Sequence, residues 1–238
     1  MSHLILVRHG QSEWNLENKF TGWVDVDLSA KGKLEACKAG ELIKELNIDI
    51  NFFYTSYQKR AVETLKLILN TLRIKNDKVI KAWELNERHY GALTGFNKDE
   101  MKKIYGEKKI HEFRRSWDNT PEPLNKNNPY HPLNILIYND IPRDKIPDTE
   151  SLKDTYNRVV EYFKKNISKK LDKNILISAH GNSIRALCKY LFKINNNEIS
   201  KLEIPTGNPL LINFNNKNKI DSVKYLDKNR AKNLLIFS

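Results

Sequence analysis

The chain has no apolar stretch approaching the roughly 20 residues needed to cross a bilayer. Its first apolar run, Leu4-Ile-Leu-Val, is cut short by Arg8, well before it reaches the length of a leader's apolar core. These absences argue against a membrane partner and predict a cytoplasmic protein. Cysteine is scarce as well: Cys37 and Cys188 form neither a CxxC pair nor a Cys/His spacing, so neither a disulfide framework nor a zinc site is expected. Both fall in helical patterns and read as buried thiols. Acidic residues are outnumbered, 29 against 41 Lys and Arg, for a formal charge of +12.

A surplus of this kind suits binding to phosphate backbones. Here, however, the lysines are spread through helical segments and do not form a basic arm with interleaved aromatics. A solvated basic surface fits better, and its field would also draw small anionic substrates into a cleft. With 238 residues, 39% of them hydrophobic, the chain can bury one sizeable α/β core. We expect a single domain over 1–238, with an insertion at 97–147 and a tail at 227–238.

Leu4-Ile-Leu-Val-Arg-His-Gly10 reads as a buried strand whose polar exit carries Arg8 and His9. Open parallel sheets place ligands at such strand ends. A histidine there can attack phosphorus while a guanidinium holds the phosphoryl oxygens. Thr21 and Gly22 add a hydroxyl and an unobstructed N–H. Ser29 is a candidate N-cap for a helix reaching about Asn47. A second strand ends near Ser56, which is expected to cap the helix bearing Ala61, Leu65, Ile68, Leu69 and Leu72. Arg60, in that helix's first turn, sits against the positive end of the dipole and calls for solvent or an anion, and its place beyond a second strand end favours the anion.

A third short strand, Lys78-Val-Ile-Lys81, leads to Glu84 and to Glu87-Arg-His-Tyr90. Either carboxyl could protonate an oxygen leaving phosphorus, and an ion pair of Glu87 with Arg88 is the competing account. From Lys98 to about Trp117 the pattern is helical and basic. The stretch 120–147 is rich in proline and asparagine and reads as a loop over a surface. A helix from about Glu150 to Lys169 follows. Then Asn174-Ile-Leu-Ile-Ser-Ala-His-Gly-Asn-Ser183 repeats the opening design, placing His180 at a second strand end. Two such ends point to one shared site; a two-histidine metal site would lack its usual carboxylates. Leu210-Leu-Ile-Asn-Phe214 and Ser222-Val-Lys-Tyr225 complete the sheet, and the tail ends in Leu-Leu-Ile-Phe237.

On these residues the chain resembles the histidine phosphatase superfamily. Within it, Phe20-Thr-Gly-Trp23, Leu85-Asn-Glu-Arg-His-Tyr-Gly91, Arg114-Arg115, Ala179-His-Gly-Asn-Ser183 and Ile204-Pro-Thr-Gly207 resemble the cofactor-dependent phosphoglycerate mutases. The resemblance implies a three-layer α/β/α fold with a mostly parallel sheet, helices on both faces and a lid-like insertion. It also implies interconversion of 3- and 2-phosphoglycerate through a phosphohistidine, primed by 2,3-bisphosphoglycerate and without metal.

Carried over by position, His9 takes and returns the phosphoryl group, while Arg8, Asn15, Arg60 and His180 hold its oxygens. Glu87 becomes the proton donor and acceptor. Ser12, Thr21, Gly22, Gly181 and Asn182 line the phosphate pocket, and Tyr90, Lys98, Arg114 and Arg115 take the substrate's carboxylate and second phosphate. Partners are small phosphorylated substrates rather than nucleic acid, in a dimer or tetramer. The sequence departs from the family where Tyr130 to Lys145 is Pro- and Asn-rich ahead of Pro147-Asp-Thr-Glu-Ser-Leu152, and in its shorter, apolar tail. A phosphatase or bisphosphoglycerate synthase on the same fold is the alternative.

Overall fold

A computed structural model describes residues 1–75 and 78–234. Its sheet has six strands: β1 (Ser2–Arg8), β2 (Phe52–Thr55), β3 (Val79–Lys81), β4 (Ile175–Ala179), β5 (Leu210–Phe214) and β6 (Ile220–Tyr225). They lie in the order β3-β2-β4-β1-β5-β6. The first four run parallel, while β5 is antiparallel to β1 and β6 to β5. The sheet is therefore mixed, with its parallel half on the side that carries both histidines.

Seven α-helices accompany it among the described residues: α1 (Glu13–Leu16), α2 (Ala30–Lys44), α3 (Lys59–Leu72), α4 (Lys98–Tyr105), α5 (Glu107–Arg115), α6 (Leu152–Tyr162) and α7 (Gly181–Phe192). Successive strand side chains point to opposite faces, so an unbroken apolar run can fill two cores at once. Ile5, Val7, Phe53, Leu176 and Leu211 pack with Ala39 and Ile43 of α2 and Leu65, Ile68 and Leu69 of α3. Leu4, Leu6, Tyr54, Ile175 and Ile177 pack on the other face with Leu152 and Val159 of α6 and Ile184 and Leu187 of α7. This explains why these strands are continuously apolar rather than alternating.

Four sequence expectations change. Ser56 does not cap α3: Gln58 occupies the N-cap position, and the Ser56 hydroxyl instead accepts from Gln58 N–H and contacts His180. The basic helix beyond Lys98 is two helices, broken at Gly106, whose φ of +83° no ordinary residue adopts readily. Cys188 is buried, but Cys37 is half-buried. Within 120–147, Tyr138 and Ile141 are buried and pack on Trp23, so this stretch builds a small core of its own. Of the tail, Asp227 caps a short turn at Lys228–Arg230; its last four residues, 235–238, with most of the Leu-Leu-Ile-Phe ending, lie outside the described residues.

Candidate active site

Three neighbouring parallel strands, β2, β4 and β1, deliver Ser56, His180 and His9 to one rim. Arg8 pairs in register with Ala179, and His9 N–H donates to Ala179 O at 2.9 Å, which puts the two histidines side by side. Their ring centroids are 5.0 Å apart. A cavity of about 120 Å³ opens there, walled by Arg8, His9, Asn15, Thr21, Gly22, Arg60, Glu87, Tyr90, Lys98, Arg114, Arg115, Gly181 and Asn182. Two further residues, Lys19 and Arg185, complete the wall and were not anticipated.

His180 is fully buried and is not among the residues walling the cavity; its ring meets that of His9 edge-on. Ser12 is not on the wall: its hydroxyl accepts from Asn15 N–H and caps α1, while Asn15 Oδ1 accepts from Ser12 N–H. That reciprocal cap holds Asn15 in place, so Ser12 acts through its neighbour. Glu84 also lies elsewhere, on a separate groove with Trp83 and Glu161. Of the two carboxylates, Glu87 is the one that borders the cavity.

The hydrogen bonds assign the protons of the histidines. His9 Nδ1 is 2.7 Å from Gly10 O, an acceptor, so Nδ1 carries the proton. Nε2 is then the lone-pair nitrogen, and Arg60 Nε–H donates to it at 3.3 Å. The other Arg60 nitrogens donate to Val24 O and Gly22 O, both at 2.9 Å, and fix the guanidinium. Burial, then the charges of Arg60 and Arg8, push the His9 pKa well below its ordinary 6.5. His9 is thus a neutral imidazole on the cavity wall, with its lone pair on Nε2.

For His180, Ser56 Oγ lies 2.7 Å from Nε2. That oxygen also accepts from Gln58 N–H. In the tautomer where the Ser56 proton is donated to Nε2, the ring proton sits on His180 Nδ1, which has no partner among the described residues. A buried N–H without an acceptor is costly, and a phosphoryl oxygen beside His9 would satisfy it. Burial, then Arg60 and His9, keep this ring neutral too.

Glu87 Oε1 accepts from Arg88 N–H (2.8 Å) and Asn182 N–H (3.1 Å), and no side-chain ion pair with Arg88 forms among the described residues. Among the described residues Glu87 is the sole carboxylate on the cavity wall, against seven basic side chains. At the outer end, Lys98 is held down to about 7 by burial and by Arg114 and Arg8; its ammonium donates to Lys19 O. Burial alone would raise the Tyr90 pKa, but Arg88, Arg114 and the Asn182 amide outweigh it and lower it. Such a lining has the charge to complement a small molecule with two or three anionic groups.

The sequence profile of the histidine phosphatase superfamily (branch 1) matches residues 4–224. The chain belongs to that superfamily. Among its relatives, the 2,3-bisphosphoglycerate-dependent phosphoglycerate mutase of Pelagibacter ubique is 69% identical over 239 residues, covering 100% of both chains. That of Hydrogenobaculum is 48% identical over 228 residues, 95% of this chain and 92% of the other. Among solved structures, a mycobacterial glucosyl-3-phosphoglycerate phosphatase superposes with a TM-score of 0.69 at 19% identity, over 94% of this chain and 98% of that one. The alpha-ribazole phosphatase from Shigella flexneri gives 0.67 at 20%, over 95% and 96%. At this identity the solved structures share the fold, and histidine phosphatases of different substrates share it equally.

Proposed function

We propose that this chain interconverts 3-phosphoglycerate and 2-phosphoglycerate through a phosphohistidine at His9, a step of glycolysis and gluconeogenesis. The observation that carries the reading is the pairing of a neutral histidine on the cavity wall, its Nε2 lone pair met by Arg60 alone, with a single carboxylate inside a shell of seven basic side chains among the described residues. Arg8, Arg60, Asn15 and the unpartnered His180 N–H surround the transferring phosphoryl group, where they are worth most as charge builds in the transition state. Lys98, Arg114 and Arg115 take the substrate's other anionic groups, a demand that a monophosphate hydrolase would not make.

The chemistry balances simply. In the primed enzyme His9 Nε2 carries the phosphoryl group; the Glu87 carboxylate removes a proton from the substrate's free hydroxyl, which attacks phosphorus as the N–P bond breaks, giving a bisphosphorylated intermediate. His9 Nε2 then attacks the other phosphoryl group, forming a new N–P bond as that P–O bond breaks, and Glu87 gives its proton to the leaving oxygen. The residues also fit a bisphosphorylated primer, with Lys98, Arg114 and Arg115 holding its far end. 2,3-Bisphosphoglycerate would supply the first phosphoryl group.

The test is conversion of 3-phosphoglycerate with and without added 2,3-bisphosphoglycerate, in wild type and His9→Ala. We expect dependence on the primer and a loss on the order of 10⁴-fold in the variant. Undiminished variant activity would remove the nucleophile. Release of inorganic phosphate faster than equilibration of the two phosphoglycerates would replace the mutase by a phosphatase.

A further inference from the structure

The Glu87 carboxylate rides on a loop, 86–90, between two short helical turns at Trp83–Leu85 and Gly91–Leu93. A loop is a poor place for a proton donor unless something outside it fixes the backbone. What fixes it comes from α6. Arg158 donates from one terminal nitrogen to Glu84 O (2.6 Å) and Asn86 O (3.0 Å), and from the other to Glu87 O (2.9 Å). Its remaining donors meet Glu150 as a two-pronged ion pair, Nε to Oε1 at 2.6 Å and the second terminal nitrogen to Oε2 at 2.9 Å. Both side chains are nearly inaccessible, 10% and 4% exposed.

Glu150 closes the frame from its own side: Oε2 accepts from His89 N–H at 2.8 Å, and Glu150 N–H donates to His89 O at 3.1 Å. The Arg158 guanidinium also lies over the Trp23 ring, 5.6 Å from its centre, next to Gly22 on the cavity wall. Neither residue lines the cavity, and a buried pair of this kind gives little net stability against an apolar replacement. The geometry points to Arg158 and Glu150 as positioning residues for proton transfer: one guanidinium gathers the carbonyls of 84, 86 and 87 and so sets where the Glu87 carboxyl stands. It also gives a role to the Glu150 of Pro147-Asp-Thr-Glu-Ser-Leu152, which the cavity itself does not use.

This inference rests on the reading of Glu87 as proton donor, so the experiment tests both, separately. Two donors of phosphoryl to His9 are compared: the bisphosphorylated intermediate formed during 3-phosphoglycerate turnover by the primed enzyme, whose leaving oxygen needs a proton, and nitrophenyl phosphate in a burst of nitrophenolate from the unprimed enzyme, whose leaving oxygen does not. Arg158→Lys keeps the buried charge balanced but cannot fan over three carbonyls. We expect it to lower kcat for phosphoglycerate about tenfold with KM nearly unchanged, and the burst rate less than about threefold. Placed on Glu87→Gln, it should cost nothing further, because the group it positions is already disabled.

Equal loss with both donors, or losses that multiply in the double variant, would overturn the positioning role. A Glu87→Gln variant that weakens both donors alike would instead overturn the Glu87 reading, and the inference with it. Circular dichroism checks folding; should Arg158→Lys not fold, Glu150→Gln is read by the same two rates, with the same outcomes deciding.

Discussion

His9 and His180 leave adjacent parallel strands at the same level of the sheet, each followed by glycine, yet the chain turns differently after each. Beyond His9, Gly10 passes so close to α2 that a Cβ would stand 2.1 Å from Gly32 O. That tight passage presents the Gly10 carbonyl to His9 Nδ1 and leaves Nε2 for the cavity. Beyond His180 a helix starts at once: His180 N–H donates to Ser183 Oγ at 3.0 Å, at the N-terminus of α7. Its ring is held from the side by Ser56, and with the Ser56 hydroxyl donating, the nitrogen left over carries a proton instead of a lone pair. One motif thus yields an acceptor and a donor, and the backbone after the histidine, with one hydroxyl, decides which.

That contrast can be broken from the donor side. His180→Ala removes one preorganised N–H from the developing charge, so kcat should fall about 10² to 10³-fold while His9 can still be phosphorylated; stopped-flow turnover beside phosphoenzyme yield measures this. Complete loss of phosphoenzyme would make the two histidines equivalent. Ser56→Ala frees the His180 ring to put its proton on either nitrogen, and a fall of about tenfold is expected, whereas an unchanged rate would remove Ser56 from the tautomer argument.

A smaller effect concerns stability. Both histidines stay neutral in the folded chain below their ordinary value of 6.5, while the unfolded chain takes up protons there. Stability is therefore full above about pH 6.5 and declines as pH falls below it. Thermal melts at pH 7.5 and 5.5 should show a larger drop for wild type than for His180→Gln; equal drops would mean that His180 is charged in the fold.

Much of this was legible in the chain. Apolar runs ending in His-Gly marked both strand ends, and Arg60, in the first turn of a helix, stands on the cavity wall with its guanidinium held by the Val24 and Gly22 carbonyls. What escaped was the fate of small hydroxyls. Ser12 and Ser56 each sit beside several backbone donors within reach, and only the folded backbone shows which bond is made. Arg185 was missed although it stands three residues after Asn182 on α7, a spacing that shares a helix face; its guanidinium donates to Asn182 Oδ1. Lys19 lay unnoticed two residues before Thr21. The insertion divides in function: α4 and α5 supply Lys98, Arg114 and Arg115, while 120–147 contributes nothing to the wall, because its apolar residues are committed to Trp23.

The central claim, that the first histidine carries the phosphoryl group and the second only steadies it, is tested by locating the phosphate. The enzyme is labelled with radioactive 2,3-bisphosphoglycerate, quenched in alkali to preserve phosphohistidine, and cut into peptides. The account predicts label on the peptide containing His9, present in His180→Ala and absent in His9→Ala. Label on the His180 peptide, or label that survives His9→Ala, would contradict it.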